Sequence, residues 1–336
     1  MASSPALLAD FSDLTNRAIQ TIVKKEADNK PEYTQYYNVR TTTELIEKDS
    51  SITGLKEASF TNENAQIVED VPIQGFDQTY TQESIDLIAP MSYQTRKFAF
   101  TPRKLTSFVQ MGLATLNRKK DKLSAERLTN GFETSYIHKD GVNGNKTISL
   151  LGGDSVEPWS AAHPREDGGT NMNNVIYDGT TYSLPFDYAG VKAAHRTASL
   201  MVDGRGNPMA ARLDTLVCKF GSSVYFKALE IKKAIENGKI PESNDNDGSG
   251  VMTFKIVALE YLTTDEAWGM FDSSKALGND GEYGFQHIES EANNVDPINV
   301  VFKTREIQFG FHTMFTQGYN DVTRVFVWSA GDSVSV

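Results

Sequence analysis

The sequence predicts a mixed α+β fold with long antiparallel segments, and three features carry that expectation. β-branched and aromatic residues fill extended stretches between 57 and 100 and again near the C-terminal end. One long helix follows the first stretch, and shorter amphipathic helices come after it. Glycine-rich polar loops punctuate the middle of the chain.

The chain has 336 residues, of which 39% are hydrophobic and 23% charged. That is ordinary globular composition, with enough length for one large domain or two smaller cores. The formal net charge of -11 makes the surface acidic on balance. It disfavours a broad basic face for nucleic acid and favours solubility. The single cysteine, Cys218, excludes an internal disulfide framework and a cysteine-rich zinc site. The opening residues MASSPALLADFSDL lack a basic region followed by an apolar run, so no secretory signal is read there. No stretch approaches ~18 consecutive apolar residues, so no membrane span is expected.

Leu7, Phe11, Leu14, Ala18 and Ile22 recur at helical spacing behind Pro5, which predicts a short amphipathic helix, either on an arm that docks elsewhere or packed on its own domain. Residues 57–95 hold no Lys or Arg but seven acids: Glu57, Glu63, Glu69, Asp70, Asp77, Glu83 and Asp86. Pro72, Gly75 and Pro90 break any helical period, so this segment reads as an extended, projecting arm. A return strand, Met91 to Phe100, runs into Thr101-Pro102, a capping residue followed by a first-turn proline.

The helix predicted from 102 to about 136 carries Leu105, Phe108, Val109, Leu113 and Leu116 on one face. Leu123, Leu128 and Phe132 extend its apolar positions, while Arg103, Lys104, Arg118, Lys119, Lys120, Lys122 and Arg127 supply a basic face. An acid-only arm thus leads directly into a base-rich helix. The acids of one copy (Glu69, Asp70, Asp77, Glu83, Asp86) could lie along the bases of the next (Lys119, Lys120, Lys122, Arg127). Such a head-to-tail contact generates rings or closed assemblies rather than a two-fold dimer. A solvated charged helix face is the plainer alternative.

Polar loops are expected from His138 to Gly153 and from Arg165 to Tyr182. A helix follows from Ser183 to about Leu200, ending at the turn Asp203-Gly204-Arg205-Gly206-Asn207-Pro208. Leu213 to Lys219 reads as a buried strand, and Ser222 or Ser223 caps a helix bearing Val224, Ala228, Ile231 and Ile235. A strand at 253–262 and a short helix capped by Thr264, containing Trp268 and Phe271, come next. Strands at 298–302, 306–312 and 323–328 close the chain.

The catalytic inventory is thin. His138, His163, His195, His287 and His312 are scattered without a metal-ligand spacing, and no nucleophile elbow, Walker lysine or dinucleotide loop occurs. Cys218 lies in an apolar strand, where a thiol is inert. No catalytic residue, cofactor or metal site is therefore assigned. Asp245 to Met252 copies the first eight positions of a calcium loop, but Ile256 stands where a bidentate Glu belongs, which favours a flexible polar loop over weak calcium binding.

The order of parts resembles the HK97-like major capsid fold, and by motif the Mu-type major head subunits. Phe98-Ala99-Phe100-Thr101 resembles the return strand that feeds a spine helix, and Trp159-Ser160-Ala161-Ala162-His163-Pro164 the family's His-Pro signature. The Asp203–Pro208 turn with the strand and alanine-bearing helix after it, and Tyr261 to Trp268, also match in order. The resemblance covers about Thr95 to Trp328. It implies an N-terminal arm at 1–56, an E-loop at 57–95 and a P-domain at 96–212 with its spine helix at 102–136. An A-domain at 213–295 and a second P-domain part at 296–336 complete the division.

It further implies a shell protein of a tailed bacteriophage, forming pentamers and hexamers around DNA without sequence-specific contact. Its partners are other copies of itself, with scaffolding, portal and decoration proteins beside them, and no membrane. It would reside in the virion after assembly in the bacterial host cytoplasm. Two departures matter. The arm has no lysine between Lys56 and Lys97 for a covalent cross-link, and the stretch before it is too short for a cleaved scaffolding extension. An encapsulin-like nanocompartment is the alternative within the fold, and a hydrolase using scattered His and Asp residues the alternative outside it.

Overall fold

In a computed structural model, residues 21–23, 30–58, 60, 67, 69–92, 94, 102–140, 144–237, 253–277, 283–296, 299–301 and 306–331 are described. The N-terminal helix expected at 7–22, the return strand at Phe98 to Thr101 and the calcium-like loop at 245–252 lie wholly or almost wholly outside them.

A turn of 3-10 helix at Glu32–Gln35 precedes β1 (Asn38–Thr41), β2 (Ile46–Ile52), β3 (Gln74–Thr81) and β4 (Glu83–Met91). Helix α1 (Pro102–Thr129) leads to β5 (Ser135–Asp140) and β6 (Gly144–Ser149). After an irregular stretch come α2 (Tyr188–Ser199), β7 (Thr215–Lys219), α3 (Ser223–Glu236), β8 (Lys255–Leu259) and β9 (Trp268–Phe271). The short α4 (Ser273–Ala276), β10 (Gly284–Val295), β11 (Asn299–Val301), β12 (Glu306–Asn320) and β13 (Phe326–Ser329) complete the order.

The central sheet is organised by β12. Along one edge it pairs antiparallel with β10 and then β11, and along the other with β4, from Ile307 opposite Met91 to Phe315 opposite Glu83. Strand β1 adds to β10 in parallel. The alternation in β12 explains its placement: Ile307, Phe309, Phe311, Thr313, Phe315 and Gln317 are buried, and the residues between them are half-exposed. Val109, Leu113 and Leu116 of α1 pack on this inner face with Phe309, Phe311 and Met91. The approach is close at Gly112, where a Cβ would stand 2.2 Å from the Phe311 ring. Only glycine fits there.

A four-stranded sheet, β13-β9-β7-β8, forms the second core with α2 and α3. Asp187 caps α2 by accepting from Gly190 N–H at 2.6 Å, and Ser222 caps α3 by accepting from Tyr225 N–H at 3.1 Å. A third core lies around Trp159, whose indole stacks on Trp328 at 5.0 Å and 4°. Its N–H donates to Leu128 O at 2.9 Å, tying the end of α1 to the sheets.

Several expectations are corrected. Trp268 to Phe271 is not helix but β9, fully buried between β7 and β13, because Trp268 fills the space beside Phe186 and donates to Leu184 O. The loop expected from His138 to Gly153 contains the β5–β6 hairpin, whose Tyr136 and His138 turn inward. Helix α1 stops at Thr129, short of 136, where Gly131 abuts the Trp159 indole. Residues 83–91, expected within a projecting arm, are a strand of the central sheet. The self-paired ribbon is instead β2 with β3, which draws on residues expected in the N-terminal arm and packs on the central sheet through the buried Tyr80 beside Gly318. Strand β10 sits in the central sheet and β13 in the smaller one, which cuts across the division expected at 295/296.

Candidate inter-subunit surface

Strands β2 and β3 pair only with each other, from Ile46 opposite Thr81 to Ile52 opposite Gln74. The pair continues as Thr53, whose backbone N–H and hydroxyl both donate to Ile73 O at 3.0 Å. Beyond it the surface turns apolar. Ile52, Leu55, Phe60, Ile67 and Val71 are all exposed, Phe60 fully and Ile67 at 75%. Exposed apolar side chains that recur along this stretch mark it as a candidate contact surface. Sequence reading weighted the acids of this arm; its recurring Ile, Leu and Val were the signal for the apolar contribution.

The acids are dispersed along the ribbon and the sheet. Glu69 is exposed. Asp70 accepts from Lys56 N–H at 2.8 Å and pairs with Arg205 Nη1 at 3.1 Å. The Lys56 amide, then the Arg205 charge, hold its carboxyl below the usual range. Asp77 accepts from Ser50 Oγ at 2.5 Å and Gln74 Nε2 at 2.8 Å, and those bonds lower it likewise. Glu83 pairs with Lys146 of the hairpin. Asp86 is exposed on β4, accepts from Ser84 Oγ at 2.7 Å and faces His312 across the ladder.

The bases of α1 divide. Lys120 is corrected outright: it is 1% exposed, and its Nζ lies 2.7 Å from Glu289 Oε1 inside the subunit. The signal was present in the sequence, since Val109, Leu113, Leu116, Lys120, Ser124 and Leu128 follow one helical stripe and all are buried. Lys119 is partly exposed and reaches Asp140 at 3.0 Å and His138 Nε2 at 2.7 Å. Lys122 is the most open of the three lysines, 3.8 Å from Glu126. Arg127 is half-buried, and its Nε has no hydrogen-bond partner among the described residues.

Lys119, Arg127 and Lys146 line a groove of about 380 Å³ between the ribbon, the hairpin, α1 and β12, with Leu123, Ile148 and Leu151 among its apolar walls. Asp140 and Glu83 also line the groove and pair with Lys119 and Lys146, so its charges are largely met within the chain, and Arg127 is the base there whose Nε lacks a hydrogen-bond partner among the described residues.

Among the described residues no three His, Cys, Asp or Glu side chains converge to hold a metal ion, and no helix is long and apolar enough to cross a membrane. Burial pushes the Cys218 thiol up to about 12. His163 is buried and bonds Asp154 at 2.6 Å; His287 is buried against Glu289.

Neither a protein-family model nor a curated protein matches the sequence. Solved structures do. A chain from Mycobacterium phage Adephagia aligns over 92% of both chains with a TM-score of 0.50 and 13% identity. The capsid of the empty GTA particle, with C5 symmetry, aligns over 89% of both chains with a TM-score of 0.50 and 12% identity. The capsid of cyanophage P-SCSP1u aligns over 89% of this chain and 88% of that one, with a TM-score of 0.50 and 10% identity. The chain therefore shares its fold, over about nine-tenths of its length, with chains solved in phage and GTA capsid structures.

Proposed function

We propose that this chain is the major capsid, or head, protein of a tailed bacteriophage. Copies assemble into pentamers and hexamers of an icosahedral shell that encloses double-stranded DNA. The observation that carries the reading is agreement of the fold with capsid subunits along about nine-tenths of the chain. The exposed apolar end of the β2–β3 ribbon supports it, because such a surface on a free subunit calls for a partner.

The contact we favour is between the ribbon of one copy and the basic groove of the next. Glu69 and Asp77 contribute charge from the ribbon, and Asp86 from the neighbouring strand. Lys119 and Arg127, which line the groove, and the exposed Lys122 of α1 oppose them. Charge sets partner and register, while apolar burial supplies most of the affinity. Repetition of interfaces of ~1,600 Å² around a closed surface gives avidity that one contact lacks. Scaffolding, portal and decoration proteins are further partners under this reading, and the virion its destination. An encapsulin-like shell is less favoured, since the similar capsids named above come from phage and GTA particles.

Analytical ultracentrifugation of the purified full chain tests the proposal. Discrete pentamers, hexamers or shells are expected as concentration rises. A single monomer boundary at every concentration and salt, with scaffold supplied, would overturn it.

A further inference from the structure

The ribbon is not free along its length. Just before its apolar end, it rests on the turn at Asp203–Asn207 of its own subunit. That turn is rigid by construction. Asp203 Oδ1 accepts from Arg205 N–H at 2.9 Å and Asn207 N–H at 2.8 Å, and Asp203 Oδ2 accepts from Asn207 Nδ2 at 2.8 Å. Gly206 takes the left-handed φ of +82° that closes it.

From this platform two side chains grip the ribbon. Arg205 pairs with Asp70 at 3.1 Å and also donates to Val71 O. Asn207 Nδ2 donates to Leu55 O at 3.0 Å. The chain is therefore held on both sides of the ribbon's end, at 55 after β2 and at 70–71 before β3. The fit is close: a Cβ on Gly54 would stand 2.6 Å from Asp203 Oδ2, and one on Gly204 would stand 2.7 Å from Thr53 Cγ2. The Arg205 side chain is only 6% exposed although it belongs to a turn. A surface arginine used merely for solubility keeps its head in water; this one is enclosed by the segment it binds.

We propose that the Asp203–Asn207 turn is the seat of the ribbon and that Arg205 is the positioning residue for subunit assembly. By fixing the ribbon at Leu55, Asp70 and Val71, it makes Phe60 and Ile67 approach a second copy from a defined origin. Preorganisation of this kind lowers the ordering cost of association. The proposal rests on the ribbon being the inter-subunit arm, but the seat itself is a property of the single subunit.

The test uses the full chain with Arg205→Ala, Arg205→Lys and Asp70→Asn, measuring hydrogen exchange in the unassembled subunit and particle yield and diameter. Arg205→Ala and Asp70→Asn are expected to speed exchange of the 53–58 and 69–73 amides about tenfold, leaving β12 protected. Particles should fall in yield and spread in diameter, and Arg205→Lys should recover part of both. Wild-type exchange in Arg205→Ala would overturn the seat. A loosened ribbon with unchanged particles would overturn the positioning role. Failure of the wild type to form particles would sink the capsid reading instead, with the exchange data still deciding the seat.

Discussion

Lys120 and Glu289 meet at 2.7 Å in the subunit interior, joining the middle of α1 to β10 of the central sheet. Tyr33 OH also donates to Glu289 Oε1 at 3.1 Å, and His287 Nε2 bonds the same oxygen at 2.9 Å. Gln317 Nε2 reaches Lys120 O at 3.3 Å. One carboxylate thus gathers the N-terminal segment, the long helix and the sheet, in a place where a lone charge is costly.

Removal of one member should therefore hurt more than removal of both. Lys120→Ala is expected to destabilise the subunit by about 3–5 kcal/mol, since it strands a buried carboxylate. Lys120→Met combined with Glu289→Gln should cost clearly less. Urea melts of the wild type, Lys120→Met, Glu289→Gln and the double variant provide the double-mutant cycle, and strict additivity would remove the ion pair from the picture.

Two carboxyls give the subunit opposite pH dependences. Burial pushes Asp121 up to about 6, so its contribution to stability is complete below about pH 4 and lost as pH rises through 6. Burial alone would raise Glu289, but the His287 bond and the Lys120 charge hold it down to about 2; its contribution is present above about pH 4.5 and lost as pH falls towards 2. Asp121→Asn keeps an oxygen for Tyr33 N–H, which now donates to Asp121 Oδ1 at 3.0 Å. It should raise the Tm by about 2–4 °C at pH 7.5 and leave it unchanged near pH 4. Thermal scans at both values check the sign.

Trp159 should be the costliest single aromatic to lose. It is fully buried against Trp328 and Phe285, and its N–H holds the last turn of α1. Trp159→Ala is expected to cost about 3–5 kcal/mol, and Trp159→Phe less. Denaturant midpoints distinguish the two.

Charge reversal at Lys119 and Lys122 should weaken the proposed contact between copies in low salt, with the defect shrinking as salt rises. Lys120 is left out because its reversal would unfold the subunit rather than probe its surface. Light scattering during assembly, across a salt series, reads the effect; equal assembly at low salt would end the electrostatic contribution.

The parts legible in the sequence were those whose signal is local. The apolar stripe from Val109 to Leu128 and the first-turn Pro102 announced α1, and Ser222 announced α3. What escaped depends on distant pairing. Glu83 to Met91 becomes a core strand because residues 307–315 lie beside it, and no local period records that partner. Tetrapeptide Trp268 to Phe271 is too short to distinguish strand from helix without its neighbours Thr215 to Cys218. On the surface, acids and bases were easy to see, but the groups that quench them were not: Arg205 for Asp70, Glu289 for Lys120 and Asp140 for Lys119 all come from remote segments.

Negative-stain electron microscopy of the purified full chain, across protein concentration and salt, bears most directly on whether this chain builds a shell. Closed particles of uniform diameter, with five- and six-fold capsomers in class averages, are the expected result. Fields of dispersed single subunits under every condition would contradict it.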